Sequence, residues 1–371
     1  MTAPLRILMT GGGTGGHVYP AIAIADAIQA LEPAAELLFA GTKDRLEWEA
    51  VPAAGYPIRP ITVQGLQRRL TAKNLLFPLR AVQGLAQSWR LVQEVQPAVG
   101  VGTGGYVSGP VLLAASLQGV PIVVQEQNAY AGLTNRLLGR RAARVHVAFP
   151  EAMGAFPVGA CMLSGNPTRA ALADVDADAA RAHFGLPAHA RVLLVLGGSL
   201  GSKALNEAIE ALHPALLQQD DLHIVWQAGR RYSDALQDRV PSHPRLHLRP
   251  YIDQMPYAYA AADLAVCRAG ALTCSELMVT GTPALLVPSP NVTADHQTRN
   301  AQSMASAGAA ILLPEANLQA YLLEQVEALL ANDSLRQQMA EAAFATARPK
   351  AAQHIAEDVV ALARRSPALK S

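Results

Sequence analysis

Residues 5–31 read LRILMTGGGTGGHVYPAIAIADAIQAL. Leu5–Met9 is a short apolar run of strand length, and a glycine loop follows at once. From Pro20 to Leu31 the apolar residues Ala21, Ile22, Ile24, Ala25, Ile28 and Leu31 fall at helical spacing. Glu36–Ala40 supplies the next apolar run. Strand, glycine turn, helix, strand is the βαβ unit of a parallel doubly wound sheet. Ala98–Val101 and Pro121–Val124 continue it. The pattern restarts at Arg191–Leu196 (RVLLVL), which runs into Gly197-Gly198-Ser199-Leu200-Gly201-Ser202 and a helix from about Lys203. His223–Gln227, Arg245–Leu248, Leu264–Cys267 and Ala284–Val287 are the further strands of this half. The fold class is therefore α/β, with two Rossmann-like doubly wound domains. Ser164-Gly165-Asn166-Pro167 punctuates the chain between them, which predicts domains over residues 1–164 and 165–345. The stretch KAAQHIAEDVVALARR from Lys350 is amphipathic and predicts a last helix, at about 346–366, that packs back onto the first domain.

A length of 371 residues calls for two cores. With 51% hydrophobic and 16% charged residues, the chain is not disordered. A net charge of +1 excludes a polyelectrolyte binder, but the charge is uneven. Residues 50–150 hold ten bases, Arg59, Arg68, Arg69, Lys73, Arg80, Arg90, Arg136, Arg140, Arg141 and Arg144, against Glu94 and Glu126. Such a stretch either faces an anionic partner or is a solvated basic face. Cys161, Cys267 and Cys274 have no C-x-x-C spacing, so reduced thiols are expected. The apolar run within Met1–Met9 is too short for a signal peptide. The longest apolar stretch, Val111–Val124, is interrupted by Gln118, Gly119 and Pro121. It is no spanning helix, and a soluble or membrane-surface protein is expected.

In open α/β sheets ligands bind outside the carboxyl ends of the strands, here expected in a cleft that the two domains face. Gly11-Gly12-Gly13-Thr14-Gly15-Gly16-His17 lies at such an end, with helix N–H groups to offer an anion. No Gly-Lys-Ser/Thr follows, and no acid closes the next strand, so neither a P-loop nor a dinucleotide fingerprint is present. His17 is placed to take a proton from a hydroxyl, or is a surface histidine beside a helix cap. Gly102–Pro110 is a second glycine loop, for a second phosphate or for packing. Gln125-Glu126-Gln127-Asn128, after Pro121–Val124, offers polar groups to sugar hydroxyls or to loop backbone. In the second half Ser199 suits a pyrophosphate and Arg169 a phosphate clamp. Small residues at Gly270–Ser275 permit close approach, and Thr273 can cap a helix. Glu276 suits a ribose diol or a capping box in a first turn. Gln297 suits hydroxyl readout. Asp174-Val175-Asp176-Ala177-Asp178 imitates a metal-binding D-x-D, but it precedes the helix Ala179–Phe184, whose dipole such acids complement; no metal is expected. Arg68, Arg69, Lys73 and Arg80 lie among Leu75, Leu76, Phe77 and Leu79, and Arg140 and Arg141 follow Leu137 and Leu138. Apolar residues ringed by bases read as an anionic lipid surface or as a helix with a core face. Nucleic acid is not expected, because stacking aromatics such as Phe77 and Trp89 are few.

Together these motifs resemble the MurG-type N-acetylglucosaminyltransferases of bacterial peptidoglycan synthesis. The match is carried by Gly12–His17 (GGTGGH), Gly104–Pro110 (GGYVSGP), Glu126-Gln127-Asn128 with Ala131–Asn135 (AGLTN), and Gly165-Asn166-Pro167 with Arg169. It continues through Gly197-Gly198-Ser199, Arg268–Thr273 with Ser275-Glu276, and Asp295-His296-Gln297. The resemblance implies a GT-B fold, with an acceptor and membrane domain followed by a UDP-GlcNAc domain. It implies inverting transfer of GlcNAc from UDP-GlcNAc to the C4 hydroxyl of MurNAc in lipid I, giving β-1,4-linked lipid II. It also implies no cofactor, a peripheral place at the cytoplasmic face of the cell membrane, and partners among the cell-wall synthesis proteins.

By the same resemblance Ile252 contacts the uracil through its backbone and Glu276 holds the ribose. Ser199 and the loop Ala271, Leu272 and Thr273 hold the diphosphate, with Arg169 near it, and Ser275 belongs to the same UDP-GlcNAc site. Gln297 and Asn128 read sugar hydroxyls. Thr14, Gly15 and Gly16 border the donor sugar and the acceptor diphosphate, and Gly13, Gly104, Gly105 and Tyr106 the acceptor diphosphate. His17 is the candidate general base, with Glu126 in reserve. The chain departs from the family pattern at Gln125 (usually His), Leu200 (usually Gln) and Cys274 (usually Val). A UDP-GlcNAc 2-epimerase or hydrolase on the same scaffold explains the nucleotide motifs but not the basic apolar stretch. A non-catalytic nucleotide-sugar sensor and an NAD-dependent oxidoreductase are the remaining readings; absent turnover would mark the first, and binding of NAD rather than UDP the second.

Overall fold

A computed structural model describes residues 4–63, 77–168, 172 and 174–366. The chain divides into one unit of Met1–Thr168 with Lys350–Ser371, and a second of Arg169–Pro349. The first holds strands β1 (Arg6–Thr10), β2 (Glu36–Gly41), β3 (Ile58–Pro60), β4 (Val99–Gly102), β5 (Ile122–Glu126), β6 (Arg144–Val147) and β7 (Cys161–Leu163). They form one parallel sheet in the order β3-β2-β1-β4-β5-β6-β7. The second unit holds β8 (Arg191–Leu196), β9 (Leu222–Gln227), β10 (Leu246–Arg249), β11 (Leu264–Cys267), β12 (Ala284–Leu286) and β13 (Ala310–Leu312). Their parallel order is β10-β9-β8-β11-β12-β13. Both are doubly wound sheets, and together they make the GT-B class.

The central strands are apolar on both faces because helices cover both. Ile7, Leu8, Met9, Val99 and Val101 are fully buried, as are Val192, Leu193, Leu194, Leu264 and Val266. The strand order reverses between β1 and β4 and between β8 and β11. At these points the loops following adjacent strands diverge to opposite faces and leave a crevice. Register places Thr10 beside Gly102 and Leu196 beside Cys267, so the glycine loops after β1 and β4 lie together. The Thr103 N–H donates to the Thr10 carbonyl at 3.0 Å, and the Gly12 N–H to the Gly104 carbonyl at 3.3 Å.

Two boundaries differ from the sequence reading in ways that matter. The first helix is Gly15–Leu31, not Pro20–Leu31. Its opening turn closes on the Thr14 carbonyl, which accepts from His17 N–H (3.0 Å) and Val18 N–H (3.1 Å). The helix runs on through Pro20, which gives up its backbone donor and crowds the carbonyl one turn earlier. His17 therefore sits in a helix's first turn. Strand β5 runs on to Glu126, because Gln125 and Glu126 pair with His146 and Val147 of β6. Both belong to the strand's buried end rather than to the loop after it.

The helix Ala351–Arg365 returns to the first unit, where Ile355, Ala356, Val359, Val360 and Ala363 join the core of Ile24, Ala25 and Ile28. Arg364 pairs with Glu32 at 2.6 Å. Asp176 caps the helix Ala177–Phe184, accepting from the N–H groups of Asp178 (3.1 Å) and Ala179 (3.0 Å). The D-x-D stretch is thus a helix start, as its acids implied. No helix of the described residues is long and apolar enough to cross a membrane; Val111–Val124 splits between the helix Ser108–Leu117 and β5. Burial drives the Cys267 thiol up to about 12 and Cys274 upward as well, so both stay protonated.

His146 on β6 is fully buried, with Nδ1 2.7 Å from Ser164 Oγ and Nε2 3.6 Å from Asp358 Oδ2 on the returning helix. Burial holds it at about 4, against the opposing pull of Asp358. The unfolded chain then binds a proton below its ordinary value near 6.5 that the folded chain refuses until about pH 4. Stability is expected to fall as pH drops through that window, by about 3 kcal/mol from this group. Urea midpoints between pH 7 and 4 check it: the fall should be shallower in His146→Gln, and parallel curves would show that His146 contributes nothing.

Candidate active site

In the first unit the site is built where β1, β4 and β5 end. His17 Nδ1 lies 2.8 Å from Gln127 Oε1 and 3.0 Å from the Thr103 carbonyl. Thr103 Oγ1 in turn donates to the His17 carbonyl at 2.7 Å. The histidine is half-buried, and Thr14 and Gly16 beside it are exposed. The loop after β4 must come this close, and only glycine allows it. Gly104 has φ +110°, and a β-carbon there would meet His17 Nδ1 at 2.9 Å; Gly105 has φ +84°, and its β-carbon would meet the Gly12 carbonyl at 2.2 Å. Tyr106 stands exposed at the tip. Ser108 Oγ ties the loop back, donating to the Gly104 carbonyl at 2.6 Å.

Glu126 is buried with both oxygens engaged. Oε1 accepts from Asn128 N–H (3.0 Å) and Asn128 Nδ2 (3.2 Å); Oε2 accepts from Gly132 N–H (2.9 Å) and Asn135 Nδ2 (2.9 Å). The carboxylate therefore organises the loop from 126 to 135. Asn135 Oδ1 is buried with no partner among the described residues.

A second buried carboxylate, Glu47, escaped the sequence reading. It lies in the first turn of the helix Leu46–Ala53 and accepts from Gly13 N–H (2.9 Å) and Thr42 N–H (3.1 Å). Gly13 thus turns its amide inward to Glu47 rather than out to a ligand. Nothing in the sequence marks Glu47 apart from other helix-start glutamates.

The second unit repeats the arrangement after β8, β10 and β11. Ser199 is exposed in the loop after β8, three residues before Ser202, which caps the helix Lys203–Leu216. Gln227, at the end of β9, bridges this loop to the next: Nε2 donates to the Gly198 carbonyl (3.2 Å), and Oε1 accepts from the Ile252 N–H (2.9 Å). The Ile252 amide is therefore taken. The helix Ala271–Thr280 is capped by Gly270 without a side-chain cap bond, so Thr273 is not the cap. Glu276 falls in the second turn, one turn too late for a capping box. Its Oε2 accepts from Tyr259 Oη at 2.9 Å. Tyr259 is almost wholly buried, and burial with the neighbouring Glu276 charge pushes its hydroxyl far above the usual range, so it remains a donor. Ala271 and Ser275 are buried, while Leu272 and Thr273 are half-buried. Gln297 opens the helix His296–Ser306 and accepts from Ser289 N–H at 2.9 Å.

Arg169, Arg68, Arg69, Lys73, Leu75 and Leu76 lie outside the described residues, and the side chains of Phe77 and Leu79 do too. Arg80 is half-buried on the helix Phe77–Val95, which exposes Val82 and Trp89. On the helix Leu133–Gly139, Leu133 and Leu137 are exposed, and Arg140 and Arg141 follow at its end, exposed as well.

Comparison with known proteins fits this geometry. The N-terminal domain of glycosyltransferase family 28 matches residues 7–147, and its C-terminal domain matches residues 192–355. A UDP-N-acetylglucosamine–N-acetylmuramyl-(pentapeptide) pyrophosphoryl-undecaprenol N-acetylglucosamine transferase of Salinibacter ruber is 64% identical over 97% of both chains. The crystal structure of Acinetobacter baumannii MurG superposes with a TM-score of 0.78 at 34% identity, over 96% of this chain and 100% of that one. A UDP-GlcNAc 2-epimerase of Neisseria meningitidis reaches a TM-score of 0.68 over 96% and 100% of the two chains, at 13% identity, a likeness of fold alone.

Proposed function

The chain belongs to glycosyltransferase family 28, among the MurG-type N-acetylglucosaminyltransferases, and we propose that it moves GlcNAc from UDP-GlcNAc to the C4 hydroxyl of MurNAc in lipid I, forming β-1,4-linked lipid II. The substrates follow from the family; the observation that carries the chemistry is His17. Its Nδ1 faces two oxygens, one of them a backbone carbonyl that can only accept. The neutral ring therefore carries its hydrogen on Nδ1 and presents the Nε2 lone pair, the form a general base needs. Glu126, with both oxygens engaged, is the weaker candidate and holds the loop that carries Asn128 and Asn135.

The acceptor proton passes to His17 Nε2 as the C4 oxygen attacks the anomeric carbon and the bond to UDP breaks. A single displacement inverts that centre. Thr14, Gly15 and Gly16 border the donor sugar. Gly104, Gly105 and Tyr106 border the acceptor diphosphate, with Gly13 lending open space rather than its amide. The nucleotide belongs to the second unit. Ile252 meets the uracil through its carbonyl, because its N–H serves Gln227. Glu276 takes the ribose diol, steadied by Tyr259. The charge on departing UDP is met by Ser199, Arg169 and the helix N-terminus at Ala271, Leu272, Thr273 and Ser275. Asn128 and Gln297 read sugar hydroxyls. Arg140 and Arg141 beside Leu133 and Leu137 suit an anionic membrane surface, which supports a peripheral site at the cytoplasmic face of the cell membrane, among other cell-wall synthesis proteins.

The test is transfer itself. Labelled UDP-GlcNAc is incubated with and without a short-chain lipid I analogue. Label should move to the acceptor, with UDP released only in its presence. Free UDP or free sugar without acceptor would overturn the reading in favour of an epimerase or hydrolase. Binding of UDP-GlcNAc with no turnover in either mixture would make the protein a sensor.

A further inference from the structure

Behind His17 lies a chain of buried amides whose direction is set by backbone carbonyls. Asn166 Nδ2 donates to the Gln127 carbonyl at 3.0 Å. Its Oδ1 therefore faces Gln125, accepting from Nε2 at 2.9 Å. Gln125 Oε1 then accepts from Gln127 Nε2. That same nitrogen donates to the carbonyls of Thr103 (2.6 Å) and Gln125 (3.1 Å). With its nitrogen so committed, Gln127 can turn only Oε1 to His17 Nδ1, at 2.8 Å. Gln125, Gln127 and Asn166 are each at most 1% exposed, so water does not compete for these groups. A carbonyl cannot donate, and each amide has one orientation that satisfies the chain.

We propose that Gln127 is a positioning residue for His17: with Asn166 and Gln125 aligning it, Gln127 holds the ring hydrogen on Nδ1 and thereby keeps Nε2 as the proton acceptor. The inference rests on the reading of His17 as the base, but its first consequence is a tautomer, which exists without substrate. An amide at this position orients the ring without adding charge, whereas a carboxylate would stabilise the protonated ring and leave less of it free to accept a proton at a given pH. Among the charged groups of the described residues on neighbouring elements, Glu126 is bonded to Asn128, Gly132 and Asn135, and Glu47 to Gly13 and Thr42, while Arg136 lies on the helix Leu133–Gly139. All three are unchanged in the variants below.

The full-length protein is labelled with 15N-histidine, and the His17 resonances are assigned by their loss in His17→Gln. The Nδ1–H tautomer is expected in the wild type; the Nε2–H tautomer would overturn the proposal without any variant. In Gln127→Glu the His17 titration should rise by about one unit or more, and the acid limb of the kcat/KM profile should rise with it. In Gln127→Leu kcat should fall about tenfold or more with KM for UDP-GlcNAc nearly unchanged. A titration unmoved in Gln127→Glu overturns the proposal. A titration that moves while the acid limb stays put overturns His17 as the base and upholds the hold of Gln127 on its ring.

Discussion

His17→Ala is expected to lower kcat for GlcNAc transfer by about 10²–10⁴-fold, the range that a positioned general base supplies. The KM for UDP-GlcNAc should change far less, because the donor contacts proposed above lie chiefly in the second unit. The fold should survive. The backbone bonds that close the first turn of Gly15–Leu31 run to the Thr14 carbonyl, and Thr103 Oγ1 is held by the His17 carbonyl, not by the ring. Initial rates of acceptor-dependent UDP release, with a thermal melt of each protein, check both statements. A variant that melts like the wild type and keeps kcat within about threefold would remove His17 from proton transfer and return attention to Glu126. Glu126 must then be tested as Glu126→Gln rather than alanine, because four hydrogen bonds of the 126–135 loop end on its oxygens.

Arg268→Ala is expected to destabilise the second unit by about 3 kcal/mol, near the lower end for breaking a buried ion pair. Arg268 follows β11, and its side chain is 11% exposed. Nε donates to Ser202 Oγ at 2.9 Å; Nη1 donates to the carbonyls of Val287 (3.1 Å) and Pro288 (3.3 Å); Nη2 pairs with Glu315. One guanidinium thus joins the segments that follow β8, β12 and β13. Truncation leaves a carboxylate and two carbonyls short of a partner. Glu315 is a quarter exposed, and water recovers part of that loss. Urea unfolding followed by the buried Trp226, in a background of Trp48→Phe and Trp89→Phe, reads this unit by itself. The double change Arg268→Met with Glu315→Gln should regain part of the loss, since the charge left behind is then removed as well. A single variant within about 1 kcal/mol of wild type would show the cluster to be ornamental.

The amino-acid sequence by itself determined the architecture and the neighbourhood of the chemistry. Long apolar strands such as Arg191–Leu196 are legible because both their faces are covered, and each glycine loop lies where a strand of that kind stops. The family motifs lie in those same loops. Short strands at or near the sheet margins were not legible: Ile58–Pro60, Cys161–Leu163 and Ala310–Leu312 have three residues each, too few for a period, and are strands through their pairing with a neighbour. Only the tertiary structure decided how the site residues are held. Gln127 meets His17 across 110 residues, and Thr103 meets it across 86. Glu47, Gln227 and Tyr259 act on residues that crossovers bring beside them, and no local pattern distinguishes them. The tautomer of His17 and the engagement of both Glu126 oxygens follow from hydrogen bonds that must all be satisfied together out of water. That condition belongs to the packed interior and has no counterpart in the order of residues along the chain.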